Sequence, residues 1–107
     1  MTDLADLQAR AARVGALYRQ RFGVADDPAF AVCKIAEEAG EVMGAHLRLH
    51  GLSRGGEADR ATLRRALEDE MADLLGFLLP HAEAEGIDLE RAFARKWGQH
   101  LEQSDGA

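Results

Sequence analysis

Two short acidic segments hold the residues best suited to chemistry: Lys34-x-x-Glu37-Glu38-x-x-Glu41 and Glu68-Asp69-Glu70-x-x-Asp73. At about 100° per residue on a helix, Lys34, Glu37, Glu38 and Glu41 share one face, beside an apolar stripe of Ala31, Ile35, Ala39, Val42 and Leu49. That spacing predicts Glu38 at the edge of a core. Glu70 falls inside the arc of Leu63, Ala66, Leu67, Leu74 and Phe77, with Asp73 one turn on along its flank, so its carboxylate is predicted to be buried or nearly so. An ionised carboxylate withdrawn from water without partners costs several kcal/mol even after relaxation. Cations or strong donors must therefore meet it. Five acidic groups, Glu37, Glu38, Glu41, Glu70 and Asp73, outnumber the one nearby Lys34. The pairs Glu38/Glu41 and Glu70/Asp73 each project in one direction, so antiparallel packing of their helices would gather four carboxylates into a cup. Hard divalent cations take such oxygens and keep positions open for water and phosphate, whereas Zn²⁺ asks for His and Cys. Mg²⁺ is the expected ion, with Mn²⁺ as a substitute. A solvated acidic face is the plain alternative, and it is the reading adopted for Glu57, Glu68 and Asp69.

The elements that must position this cup are helical throughout. Apolar residues recur at helical spacing almost everywhere and no run alternates in the manner of a strand, so four helices and no sheet are expected. The first runs from about Asp3 to Phe22 with a stripe of Leu4, Leu7, Ala11, Val14 and Tyr18, and Gly23 ends it. The second starts at Asp27-Pro28, a capping carboxylate followed by a residue suited to the first helical position, and stops at His50-Gly51. Gly51 to Asp59 is the clear loop, and its glycines suggest a mobile lid. Helix three spans roughly Arg60 to Glu85, with a kink or break expected at Pro80, whose ring lacks an N–H and crowds the carbonyl of Gly76. Gly86 closes the next turn and Asp88 caps the last helix, which carries Leu89, Ala92, Phe93 and Trp97 to about Glu102. Residues 103–107 are expected to form a polar frayed tail.

Composition narrows the function classes. The 107 residues fit one domain covering 1–107, and a formal charge of −6 argues against a nucleic-acid binder, whose phosphate contacts need a dense basic face. The lone Cys33, the absence of a basic-then-apolar leader and the absence of a long apolar span make a cytoplasmic, non-membrane protein the expectation. Few aromatics in a small domain point to burial in a homo-oligomer. Cys33 reads as a small buried residue rather than a thiolate nucleophile, and there is no Ser/His/Asp arrangement or P-loop. His46 and His50 stand one turn apart, yet no third ligand is visible, and packing near a helix C-terminus is the plainer account.

The arrangement Glu37-Glu38-x-x-Glu41, then 28 intervening residues from 42 to 69, then Glu70-x-x-Asp73, resembles the signature of the MazG-like all-α NTP pyrophosphohydrolases. The likeness runs from about Pro28 to Trp97 and includes the opening of the last helix from Gly86 to Phe93. It implies a four-helix bundle-type fold, homodimers or homotetramers, and hydrolysis of a nucleoside triphosphate to the monophosphate and pyrophosphate, as in nucleotide-pool house-cleaning. By the same likeness Glu38, Glu41, Glu70 and Asp73 would bind Mg²⁺, and Glu37 would be a further ligand or the base that orients water. The metal would neutralise the triphosphate and activate that water. Lys34 and Lys96 are the corresponding phosphate contacts, with an intrahelical pair and a solvated Lys as their plain readings. Many relatives follow that second Lys with Asn or Arg, where this chain has Trp97. Trp97 can stack on a base or fill a core or subunit interface.

Two rivals share these residues. Phosphoribosyl-ATP pyrophosphohydrolase has the Lys-x-x-Glu-Glu and Glu-x-x-Asp elements with a shorter connection than this chain's Gly51 to Asp59. A helical interaction module that holds a divalent ion without turnover needs only the cup.

Overall fold

The computed structural model describes residues 3–24 and 27–105, which form α1 (Leu4–Phe22), α2 (Pro28–Leu49), α3 (Arg60–Ala84) and α4 (Leu89–Asp105). No strand occurs among the described residues, so the fold is all-α and four-helical, as the periodicity predicts. Asp27 and Asp88 cap their helices as expected, and Asp3 and Asp59 do the same for α1 and α3. Asp3 accepts from the Asp6 N–H at 2.8 Å, Asp27 from Ala29 at 2.9 Å, Asp59 from Thr62 at 2.8 Å and Asp88 from Arg91 at 3.1 Å. Each satisfies a donor that the helix leaves without an internal partner. The Thr62 N–H holds the Asp59 carboxyl below its ordinary range. Gly23 and Gly86, at φ of 65° and 70°, end α1 and α3 in the left-handed turn that an L side chain resists.

Two compact units divide the chain. The terminal unit is Met1–Val24 with Leu79–Ala107, and the middle unit is Ala25–Leu78. In the terminal unit the buried side chains are Gln8, Leu79 and Ala82; in the middle unit they are Glu38, Ala45 and Leu49. Around these sit half-buried residues, while Val14, Tyr18, Phe22, Phe93 and Trp97 are all more than half exposed. The stripe expected on α1 is thus half-buried at Leu4 and Ala11 and open at Val14 and Tyr18.

Several local expectations are corrected. Of the kink or break expected at Pro80, the break does not occur, and α3 runs on through it. A proline inside a helix costs about 3 kcal/mol. Leu79 and Ala82, at 2% and 4% exposure, flank it, and burying a Leu side chain returns about 1.5–3 kcal/mol, enough with its neighbour to hold the helix together. α4 also continues through 103–105, part of the stretch expected to fray; residues 106–107 lie outside the described residues. Cys33 is exposed rather than buried, on a first stretch of α2 where Phe30 and Val32 are open as well. Ala39 is exposed, because the buried line of α2 runs through Glu38, Ala45 and Leu49 with Val42 half-buried between them. Glu38 therefore stands on that line and not at its margin.

Candidate metal centre

The middle unit positions the acidic residues. Lys34 lies over the Phe77 ring, 5.2 Å from its centroid, and Glu38, further along α2, meets Glu70 and Asp73, which lie earlier on α3. Contacts that advance on one helix as they retreat on the other define antiparallel packing, the arrangement that the four-carboxylate cup would need. A carboxylate oxygen from each of Glu38, Glu70 and Asp73 lies within 4.8 Å of the other two. Oxygens in neighbouring positions on one octahedral Mg²⁺ at about 2.1 Å are about 3 Å apart, so side-chain movements of up to about 2 Å would close the set around an ion. Exposure is graded across the trio: Glu38 is buried, Glu70 half-buried and Asp73 exposed. Three oxygen donors with one open side fit a hard cation that keeps part of its water shell.

The electrostatics show what these carboxylates lack. Burial, followed by the charges of Glu41, Asp73 and Glu38, pushes the Glu70 carboxyl above its ordinary range, with Arg48 opposing them. Like charges and desolvation act in the same direction here, and a divalent cation would relieve both. Glu38 has one cation nearby, Lys34 Nζ at 3.7 Å, beyond hydrogen-bond length. That ammonium donates to Glu37 Oε1 at 3.0 Å, and this bond is the main reason its own pKa is raised. One lysine is therefore divided between two carboxylates, and none is left for Glu70 or Asp73.

The remaining expected site residues are placed as follows. Glu41 is exposed and outside the converging trio, though its charge is the strongest carboxylate influence on Glu70. Glu37 faces solvent, paired with Lys34. Lys96 and Trp97 are exposed on α4, in the terminal unit, where Trp97 stacks on Phe93 at 6.0 Å with the rings 5° from parallel. The His46 and His50 rings pack at 4.4 Å, and among the described residues no third ligand joins them. Arg48, which acts on Glu70, was not marked by the sequence reading. Its signal is its position, seven residues after Glu41 and so on the same face of α2.

A concavity of about 310 Å³ belongs to the terminal unit and is lined by Ala5, Gln8, Glu83, Gly86, Ile87 and Asp88. Gln8 closes its floor. Its amide donates to Glu83 Oε2 at 2.9 Å and to the Ile87 carbonyl at 2.6 Å, and its Oε1 accepts from the Leu89 N–H at 3.4 Å. No helix among the described residues is long and apolar enough to cross a membrane. Compared with protein-family models, with curated proteins and with solved structures, the chain matches none.

Proposed function

We propose that this chain is a helical module that binds a divalent cation, Mg²⁺ with Mn²⁺ as a substitute, through Glu38, Glu70 and Asp73, with Glu41 adding to the anionic field. One observation carries the reading: a buried carboxylate has two others within 4.8 Å and shares its only lysine with Glu37. Folding has brought like charges together where a solvated face would spread them apart. An ion bound there is itself the missing partner.

A second reading adds turnover. The signature Glu37-Glu38-x-x-Glu41 with Glu70-x-x-Asp73 supports a MazG-like nucleoside triphosphate pyrophosphohydrolase, and the exposed side of the trio leaves room for phosphate and water. A bound Mg²⁺ would supply charge neutralisation and a more acidic water there. In this reading Glu37, which is exposed, orients the water and Lys34 contacts the nucleotide.

One experiment separates the two. Mg²⁺ and Mn²⁺ binding is measured by calorimetry on the wild-type chain, Glu38→Gln and Asp73→Asn, and pyrophosphate release is followed over ribo-, deoxy- and modified nucleoside triphosphates and phosphoribosyl-ATP. Metal binding lost in both variants, with no release from any substrate, leaves the binding module. Chelator-sensitive release of pyrophosphate and monophosphate, lost in both variants, establishes the hydrolase and names its substrate. Metal binding that survives in both variants refutes the site.

A further inference from the structure

His46 and His50 lie outside the acidic trio, and nothing in its chemistry uses them. Both are exposed at the C-terminal end of α2, where His46 belongs to the last turn and His50 is the residue that caps it. Packing near a helix end would account for them only if something covered the rings, and their exposure removes that account. The one ring contact either makes is with the other, at 4.4 Å between centroids and 45° between planes. Among the described residues neither ring takes part in a hydrogen bond or an ion pair, so the ring nitrogens are uncommitted.

A spacing of four residues puts two imidazoles on one helix face, the arrangement by which helical His pairs hold a metal. A metal–nitrogen bond is about 2.1 Å long and the ring centre lies about 1.1 Å beyond it, so two imidazoles in neighbouring positions on one ion have centroids about 4.5–5 Å apart. The observed 4.4 Å meets the lower end of that span. Rotation about the broad Cβ–ring torsion turns a nitrogen of each ring toward a common point while moving the centroids little. The end of α2 also carries the partial negative charge of its unsatisfied carbonyls, which favours a cation there.

His46 follows Glu38 by eight residues, about 12 Å along the helix axis and about 80° round it, so the pair is a separate place from the trio. The donors differ as well. Carboxylate oxygens suit Mg²⁺ and Mn²⁺, whereas imidazole nitrogens suit Cu²⁺, Ni²⁺ and Zn²⁺. We propose that His46 and His50 chelate a transition-metal ion of this second class, Cu²⁺ most tightly, through one nitrogen each, with water or a small ligand in the remaining positions. The inference rests neither on the acidic centre nor on turnover. It makes α2 a helix that sorts hard and borderline cations along its length.

The test is titration of Cu²⁺, Ni²⁺ and Zn²⁺ into wild type, His46→Ala, His50→Ala and the double variant, all in excess Mg²⁺, with electron paramagnetic resonance of the Cu²⁺ forms. Circular dichroism establishes that each variant keeps its helices. Two donors held on one element gain about 10²–10⁴ over a single donor, so each single variant should lose on the order of a hundredfold in Cu²⁺ affinity and the double variant little more. Wild type should bind Cu²⁺ more tightly than Ni²⁺ or Zn²⁺. Its Cu²⁺ spectrum should show coupling to two imidazole nitrogens, and the spectrum of each single variant to one. Mg²⁺ affinity, measured without the other ions, should be the same in all four proteins. Equal Cu²⁺ affinity in wild type and either single variant, or losses that simply add in the double variant, overturns the chelate. Loss of Mg²⁺ binding in a His variant that keeps its helices overturns the separation of the two sites. Failure of wild type to bind Mg²⁺, with the Cu²⁺ results as expected, overturns the acidic centre alone.

Discussion

The two polar side chains buried among the described residues, Gln8 at 5% exposure and Glu38 at 8%, lie in different units and meet opposite surroundings. Gln8 is neutral and its amide is fully engaged, with two donations and one acceptance that tie α1 to the end of α3 and the start of α4. Nothing about it asks for a ligand. Glu38 is an acid that makes only a 3.7 Å pair with a lysine committed elsewhere, and it has two more carboxylates within 4.8 Å. Burial alone does not distinguish a structural residue from a functional one. What distinguishes them is whether the chain itself supplies the partners that burial demands.

The largest expected effect tests whether the middle unit lacks a partner that Mg²⁺ provides. A ligand that binds only the folded state stabilises it by about 4.1 kcal/mol at a thousandfold excess over Kd. Asp73→Asn should lose that stabilisation while making the metal-free protein more stable than wild type, since it removes one of the charges crowding Glu70. Urea unfolding with Mg²⁺ and with chelator measures both halves. A variant that Mg²⁺ still protects to the wild-type extent would equate Glu38 with Gln8 and end the contrast.

Gln8→Ala is the complementary cut. It removes three hydrogen bonds at roughly 1 kcal/mol each, one of them long, so a loss of about 2–3 kcal/mol is expected. The Mg²⁺ increment should stay at the wild-type value, because the metal residues belong to the other unit. The same unfolding series reads this out. An altered Mg²⁺ increment in this variant would mean that the two buried groups are energetically one system.

How much of this contrast was legible in the sequence follows from what each side depends on. The helices, their Asp caps and the glycine ends are local, and residues close along the chain specify them. Glu38 and Glu70 were legible because a carboxylate on an apolar arc violates helical patterning wherever the helix packs. Gln8 was not legible, since its partners are 75 to 81 residues away and a glutamine on a polar-looking helix breaks no pattern. Arg48 escaped for a related reason. Its placement depends on the missing side chains of Gly44, Gly55 and Gly56, and glycines in a loop read first as turn formers. Continuity of α3 through Pro80 was hidden as well, because local propensity forbids it and only the burial of Leu79 and Ala82 reverses the sign.

The smallest expected effect is a pH dependence, and it sharpens the contrast at a single atom pair. The Glu70 pKa is raised above 4.5 first by burial and then by Glu41, Asp73 and Glu38. The folded state therefore holds this proton more tightly than the unfolded state. The stability this contributes is fully present below 4.5, the ordinary value, and is lost as pH rises through the raised folded value. In chelator, wild type should lose stability relative to Glu70→Gln across that interval, because the glutamine cannot ionise. In Mg²⁺ the sign reverses. The cation competes with the proton for the same oxygens, so the wild-type advantage appears as pH rises and fades as the carboxylate protonates. Melting temperatures of the two proteins at matched pH, taken as differences, cancel the other titrating groups. A difference that stays flat in chelator would mean that Glu70 ionises as freely as a solvated glutamate, and the crowding that sets Glu38 apart from Gln8 would have lost its measurable consequence.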